Sequence, residues 1–400
     1  MGIISALGAG VDATWRALRE GRSGIGRLEF LQTAHRDIPC AEVKFSDRVL
    51  AERLGLATGE IATRTALLGM EALREAWGSA GLSAGLQKRF AFINGTTVGG
   101  MEKSEQYYLD FLENDSRNAY IAAHECGACT EKIADDLGVF SYVTTLSTAC
   151  SSAANAVMLG ANLIKAGITD VALVGGSECL TKFHLNGFRT LMILDREPCR
   201  PFDDARAGLN LGEGAAYLVL EKEKAALARG VRPLCVLAGY GNACDAFHQT
   251  ASSEEGVGAA MAMEEALKMS GLRPEDIDYI NAHGTGTRNN DLSEGRAICH
   301  VFGDRIPWVS STKAMTGHTT SASGSVEAVI SILAMLHQFI PVNLRFSRQM
   351  PELPFAPVSQ PVEGAELKNV LSNSFGFGGN NSSLVFSAWD QKAASERVGS

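Results

Sequence analysis

The stretch Tyr142-Val-Thr-Thr-Leu146-Ser-Thr148-Ala-Cys150-Ser-Ser-Ala-Ala-Asn155-Ala-Val157 changes character in its middle. Tyr142 to Leu146 is a β-rich run, and Ser151 to Ala166 has a helix-forming composition. Cys150 sits at the switch. A thiol at a helix start faces free backbone N–H groups and the positive end of the helix dipole, and both favour the nucleophilic thiolate. A second stretch, Thr320-Ser-Ala-Ser-Gly-Ser-Val-Glu-Ala-Val329, has the same texture and also introduces a helix. This faint repeat permits a chain made of two similar halves, with the nucleophile kept in one. The charged run Glu221 to Lys224 puts the boundary near Arg229-Gly230, giving halves 1–229 and 230–400.

Two further segments share the setting of Cys150. They are Asn281-Ala-His283-Gly-Thr285-Gly-Thr287 and Ser311-Thr-Lys313-Ala-Met-Thr-Gly-His318. One cysteine and two histidines among glycine, serine and threonine point to acyl transfer. Eight other cysteines compete for the role; Cys179, Cys199, Cys235, Cys244 and Cys299 lie in plain contexts and read as structural.

Around these residues the pattern alternates. Apolar strands are expected at Arg89–Asn94, Asp170–Val174, Ala215–Leu220, Leu234–Tyr240 and Ile277–Ala282, the last running into His283. Helices are expected over Gly59–Ala80, Ser151–Ala166, Gly256–Met269 and Ser323–Gln338. Alternation of this kind indicates α/β architecture with partly parallel sheets. The chemical residues fall where strands end, which is where open α/β sheets place ligand sites. Leu371-Ser-Asn373-Ser-Phe-Gly376-Phe377-Gly-Gly379-Asn380 is a glycine-aromatic loop between two late strands.

Composition sets limits. Hydrophobic residues make 46% and charged residues 20% of the 400, enough for a large core. A formal charge of −9 argues against general nucleic-acid binding, and an acidic partner would need a local basic patch. No apolar run reaches the roughly 18 residues of a membrane span, and no signal-peptide pattern starts the chain. Cys126 and Cys129 form a Cys-x-x-Cys behind His124, but no second pair completes a zinc site, and no metal is expected. Ile121 to Leu137 reads as one amphipathic helix. The scattered odd number of thiols suits a reducing cytoplasm.

Taken together, Thr148-Ala-Cys150-Ser, Pro201-Phe-Asp203, Gly212-Glu-Gly214-Ala, Ala282-His283-Gly-Thr285-Gly-Thr287, Ser311-Thr-Lys313 with Gly317-His318, and Asn373-Ser-Phe-Gly-Phe377-Gly-Gly379 resemble an elongating β-ketoacyl-acyl carrier protein synthase of the thiolase superfamily. The resemblance covers nearly the whole chain. It implies a thiolase-like, five-layered α-β-α-β-α fold of two similar halves with mixed sheets. It implies decarboxylative Claisen condensation of an acyl thioester with malonyl-acyl carrier protein. Cys150 would carry the acyl chain; His283 and His318 would hold the malonyl thioester carbonyl and the enolate left by CO₂ loss. Lys313 would orient His318, and Asp291 and Glu327 would fix the lysine and the histidines. The backbone N–H groups of Cys150 and Phe377 would form an oxyanion hole. Thr285 and Thr287 would bind the phosphopantetheine arm, and Phe377 would gate the acyl pocket. No cofactor is implied beyond the phosphopantetheine that arrives on the carrier protein. A dimer is implied, either of two like chains or with a non-catalytic chain-length factor.

The chemistry accounts for these residue types. Condensation needs a soft nucleophile that also leaves well, which thiolate supplies. Charge develops on oxygen twice, and one preorganised donor is worth roughly 10²–10³ in rate. A lysine nearby helps keep the histidines neutral.

Some features depart from the family. His124, Cys126 and Cys129 lie where relatives line the pocket and dimer interface. Phe183-His184-Leu185-Asn186-Gly187-Phe188 lies where relatives shape the acyl tunnel. Both features look closer to ketosynthases of polyene or aryl-polyene pathways. Relatives also carry a full strand ahead of the segment found here at Met1–Gly8, so a shortened chain or a late-assigned start is expected. A thiolase would need a second cysteine near the C-terminus, and 373–381 contains none. A chain-length factor would lack the nucleophile that is present here.

Overall fold

The computed structural model describes residues 1–390. Two mixed β-sheets organise it. The first holds β1 (Gly2–Ser5), β2 (Gly8–Ala9), β3 (Phe90–Gly95), β4 (Phe140–Leu146), β5 (Val171–Glu178) and β6 (Gly214–Glu221), in the order β2-β1-β6-β5-β3-β4. The second draws on β7 (Cys235–Cys244), β8 (Tyr279–Asn281) and β9 (Trp308–Ser310). It is completed, beyond a small ribbon of β10 (Phe339–Ile340) and β11 (Val362–Glu363), by β12 (Asn369–Gly376) and β13 (Asn380–Ala388). Its order is β7-β13-β12-β8-β9.

The two sheets repeat one plan. β1–β6 and β6–β5 are antiparallel, while β5–β3 and β3–β4 are parallel. In the second sheet β7–β13 and β13–β12 are antiparallel, while β12–β8 and β8–β9 are parallel. The chain visits corresponding strands in the same sequence. The helix Ser152–Lys165 joins β4 to β5, and Ser323–His337 lies between β9 and β12, so the two quoted stretches occupy matching places.

Layering follows from which faces are apolar. The helix Arg64–Ser79 packs on the outer face of the first sheet, and Val257–Ser270 on that of the second. Helices Ser152–Lys165 and Ser323–His337 lie between the sheets. Ser323–His337 is buried over Ser323–Met335, as a helix covered on all sides must be. The result is the five-layered, two-half architecture the sequence implied.

The structure corrects several boundaries. The expected helix at Gly59 starts at Arg64, where the Thr63 side chain accepts a hydrogen bond from Ala66 N–H. The strand expected to end at Tyr240 continues to Cys244, because β13 pairs along its full length. Strand β8 is only three residues long. Ile121–Leu137 is not one helix. It forms Asn118–Ala122 and Cys126–Asp135, and the break falls where the His124 carbonyl accepts from Gly100 N–H. A Cβ at Gly100 would lie 2.0 Å from the Ala123 carbonyl oxygen, so these backbones touch directly. The helix Arg288–Phe302, capped by Thr287, was not anticipated.

Candidate active site

Each reactive side chain leaves the carboxyl end of a parallel strand. Cys150 follows β4, and Lys313 and His318 follow its counterpart β9. His283 follows β8, the counterpart of β3. The repeated architecture therefore brings three separated segments to one point. Ala149, with φ 52°, turns the chain sharply before Cys150 and presents the thiol at the start of the helix Ser152–Lys165.

The three residues are buried together: Cys150 is 5%, His283 2% and His318 2% exposed. His318 Nε2 lies 3.1 Å from Cys150 Sγ. Its Nδ1 lies 2.9 Å from Ser323 Oγ, which fixes the ring plane. The two imidazoles meet edge to face at 5.2 Å. Lys313 Nζ lies 3.2 Å from His283 Nδ1 and is ion-paired with Glu327. An ammonium can only donate, so His283 carries its own proton on Nε2.

Two expectations change here. Lys313 contacts His283 rather than His318, because the turn Lys313–Thr316 directs its side chain across to the β8 loop. Asp291 touches neither the lysine nor a histidine. It accepts from the backbone N–H groups of Phe202 (2.7 Å) and Gly286 (3.1 Å) and so braces the Thr285–Thr287 loop. The carboxylate that holds His283 is Glu294, which the sequence reading missed. It accepts from His283 N–H at 2.8 Å, Gly284 N–H at 2.7 Å and Asn373 Nδ2 at 3.1 Å. A signal existed: Asp291, Glu294, Ile298 and Phe302 fall at helical spacing and are all buried, so two acids interrupt an apolar stripe.

Burial dominates the electrostatics. The Cys150 thiol is pushed up to about 12 by desolvation, against the pull of the Lys313 charge and the Phe377 N–H. Burial thus pulls against the thiolate preference expected from the helix start, because a dry pocket disfavours an anion. Both histidines sit well below the usual imidazole range, first through burial and then through Lys313. The site holds a thiol and two neutral imidazoles.

A cavity of about 570 Å³ leads to Cys150. Thr285 and Thr287 line it, their hydroxyls 2.9 Å apart. Phe377 also lines it, and its N–H is directed at the Cys150 sulfur. Its ring stacks on Phe188 at 5.6 Å. Phe188 belongs to the helix Lys182–Thr190, whose buried His184 meets it edge to face at 6.1 Å. The Cys-x-x-Cys does not converge: Cys129 takes a hydrogen bond from Thr63, and His124 pairs with Ser104. Among the described residues no group of three or more His, Cys, Asp or Glu side chains is placed to hold a metal ion, and no helix is long and apolar enough to cross a membrane. Cys244 is exposed, with its thiol donating to the Gly378 carbonyl at 3.4 Å.

Comparison with known proteins places the whole chain beside one family. Residues 1–226 match the beta-ketoacyl synthase N-terminal domain, and residues 234–347 match the C-terminal domain. Nodulation protein E of Rhizobium meliloti (strain 1021) is 34% identical over 96% of this chain and 97% of its own length. The 3-oxoacyl-[acyl-carrier-protein] synthase 2 of Staphylococcus aureus is 31% identical over 96% and 99%. Among solved structures, the ishigamide ketosynthase/chain length factor is 32% identical with a TM-score of 0.90, covering 97% of this chain and 98% of that one. The ketosynthase ApeO, in complex with its chain length factor ApeC from Xenorhabdus doucetiae, is 31% identical with a TM-score of 0.84, covering 97% and 96%. The chain belongs to the β-ketoacyl synthase family, acyltransferases that perform the condensation step of fatty-acid or polyketide synthesis.

Proposed function

We propose that this chain condenses an acyl group held on Cys150 with a malonyl unit delivered by an acyl carrier protein. The observation that carries the reading is the 3.1 Å approach of His318 Nε2 to Cys150 Sγ, beside a His283 whose tautomer Lys313 sets. The Cys150 thiol gives its proton to His318 Nε2 as its sulfur attacks the acyl thioester. The carbonyl oxygen takes the developing charge and is met by the N–H groups of Cys150 and Phe377. The carrier thiol leaves with that proton. Malonyl-carrier protein then enters with its phosphopantetheine arm along Thr285 and Thr287. Its carboxylate departs as CO₂, and the enolate oxygen accepts from Nε2–H of His283 and from Nε2–H of His318, whose proton has exchanged from Nδ1 to Nε2 through solvent while Ser323 Oγ turns to donate to Nδ1. The enolate carbon attacks the Cys150 thioester, the new carbon–carbon bond forms, and the Cys150 sulfur leaves as thiolate, which takes a proton from solvent to restore the thiol.

The dimer, the pathway and the place of work belong to the same proposal. Strand β4 is an edge strand whose Tyr142 and Val143 stand 36% and 38% exposed, a surface suited to a second subunit. That subunit is a like chain or a chain-length factor; structural relatives that pair with such a factor favour the second. The acyl substrate is assigned to a polyketide or polyene chain, on the aromatic and imidazole wall formed by Phe377, Phe188 and His184. Nine free thiols suit a cytoplasmic enzyme. Halves 1–229 and 230–400 are taken as the structural units, since the first sheet ends at Glu221 and the second begins at Cys235.

Intact-mass analysis with a panel of acyl-carrier proteins tests the reading. Wild-type protein should gain one acyl mass, which peptide mapping places on Cys150, and adding malonyl-carrier protein should release a β-ketoacyl product. Acylation elsewhere, or none, would overturn it.

A further inference from the structure

The proposed oxyanion hole draws its two donors from different halves of the chain, so something must hold those halves in register. Backbone contact alone gives little grip. A Cβ at Gly376 would lie 3.1 Å from the Thr148 carbonyl oxygen and 3.2 Å from Cys150 N, so the two backbones pass with no side chain between them. The turn Phe377–Gly379 contains Gly378 and Gly379 at φ 81° and 77°, a backbone with little intrinsic stiffness. Apart from the Phe377 N–H directed at the Cys150 sulfur, its hydrogen bonds stay local: Gly378 N–H donates to the Gln249 carbonyl, Cys244 donates to the Gly378 carbonyl, and Asp245 N–H and Asn381 Nδ2 donate to the Gly379 carbonyl.

Asn380 directly follows this turn. Its Oδ1 accepts from Ser151 Oγ at 2.6 Å, Asn155 Nδ2 at 2.9 Å and Asn242 Nδ2 at 2.9 Å. Ser151 is the neighbour of Cys150. Asn155 lies one helical turn further along and also donates to Thr148 Oγ1 at 2.9 Å. Its Oδ1 accepts in turn from Asn242 Nδ2 at 2.9 Å and Ser382 Oγ at 3.0 Å. Among the described residues, the side-chain hydrogen bonds joining 148–155 to 376–382 pass through Asn380 or Asn155, apart from the Phe377 N–H directed at the Cys150 sulfur.

We propose that Asn380 is a positioning residue that fastens the end of the Phe377 turn to the Cys150 turn, with Asn155 and Asn242 as its clamps. It thereby sets the Phe377 N–H against the oxygen of the carbonyl that Cys150 attacks. The inference rests on the proposed roles of Cys150 and Phe377 and extends them to a residue that touches no substrate.

The three bonds use only the oxygen of Asn380, which dictates the test. Asn380→Leu keeps the shape and removes the acceptor, while Asn380→Asp keeps the acceptor. The two half-reactions are measured separately, as Cys150 acylation by intact mass and CO₂ release from malonyl-carrier protein. Because a misplacement of about 1 Å or a lost oxyanion donor costs about 10²-fold or more, Asn380→Leu should slow acylation about 10- to 100-fold. CO₂ release depends on the two histidines and should stay within about twofold of wild type, since none of their oxyanion donors is altered. Asn380→Asp should recover most of the lost acylation. Equal slowing of both half-reactions, or acylation at the wild-type rate, would overturn the proposal. If Asn380→Leu does not fold, Asn155→Leu removes one of the three bonds and should produce the same split in milder form; no split would again overturn it. A wild-type chain that never acylates at Cys150 defeats the underlying reading as well, whereas a normal wild type beside an unaffected variant defeats only this inference.

Discussion

At the level of single residues, burial and charge set the chemistry more than sequence context does. Cys150 was legible because a thiol among small residues at a strand-to-helix switch is unusual, and the two histidines stood out for the same reason. Its ionisation was not legible, since desolvation depends on what closes over it. With the thiol pushed up to about 12, a reagent that needs thiolate should alkylate Cys150 slowly at neutral pH. Its rate should rise about tenfold per pH unit through pH 9 without a plateau, as thiolate fraction dictates. A plateau near pH 7, followed by mass spectrometry of the Cys150 peptide, would contradict this. Glu294 gives a second test. Burial pushes its carboxyl from the ordinary 4.5 up to about 7. The raised value means its contribution to stability is full below about pH 4.5 and is lost as pH rises through 7. Activity runs the other way, because the ionised form accepts the N–H groups of His283 and Gly284 most strongly, while protonation turns one of those oxygens into a competing donor. Condensation should therefore fall as pH drops through about 7. Glu294→Gln should lose that acid limb and slow condensation about tenfold or more at pH 8, since one backbone donor then faces an amide donor. An unchanged kcat–pH profile in the variant would refute the role.

At the level of elements, periodicity located most helices and strands, and tertiary contact set their ends. The central helices were placed to within a residue or two because their small and apolar residues are continuous. The interruption at Ala123–Glu125 was not visible, since its cause is the distant Gly100 backbone. The same kind of contact governs the pair Ser152–Lys165 and Ser323–His337. A Cβ on Gly324 would lie 2.6 Å from Ala154 N and 2.9 Å from its Cβ, and both helices are fixed by sheets on either side. Alanine gains about 1 kcal/mol over glycine in helix propensity, but overpacking a filled core costs about 1–3 kcal/mol. Gly324→Ala should thus be net destabilising and lower the melting temperature. Gly78, also helical, has open space at its Cβ position. Gly78→Ala should raise the melting temperature slightly by removing the propensity penalty alone. If calorimetry ranked the two variants in the reverse order, the close helix contact would not be what fixes this layer.

At the level of the whole molecule, the repeat is the organising fact. Its weak sequence echo, Thr148–Val157 against Thr320–Val329, marks two connections that occupy matching places in sheets of one plan. The echo is faint because the halves share a backbone but divide the chemistry, so the same position carries Cys150 in one and Ala322 in the other. The sheets differ at their edges too. In the second sheet β9 is three residues long and ends the sheet briefly, whereas its counterpart β4 has seven residues with one side unpaired. A long edge strand with half-exposed Tyr142 and Val143 would template unwanted pairing in a free monomer. It also leads straight into the Cys150 turn, so whatever covers it steadies the nucleophile. Val143→Lys places a charge on that edge without touching the first sheet's interior, and the side chain already stands 38% exposed. The isolated fold should tolerate it, with a melting temperature close to that of the monomeric wild-type chain. Assembly should not: in sedimentation at low micromolar concentration, of the chain alone and mixed with its chain-length factor, the wild type should pair in at least one of the two and the variant should be shifted toward monomer there. Condensation should fall with the fraction paired, and raising the protein concentration should restore both together. A variant that sediments as a monomer yet condenses at the wild-type rate would separate assembly from activity and refute the role given to β4.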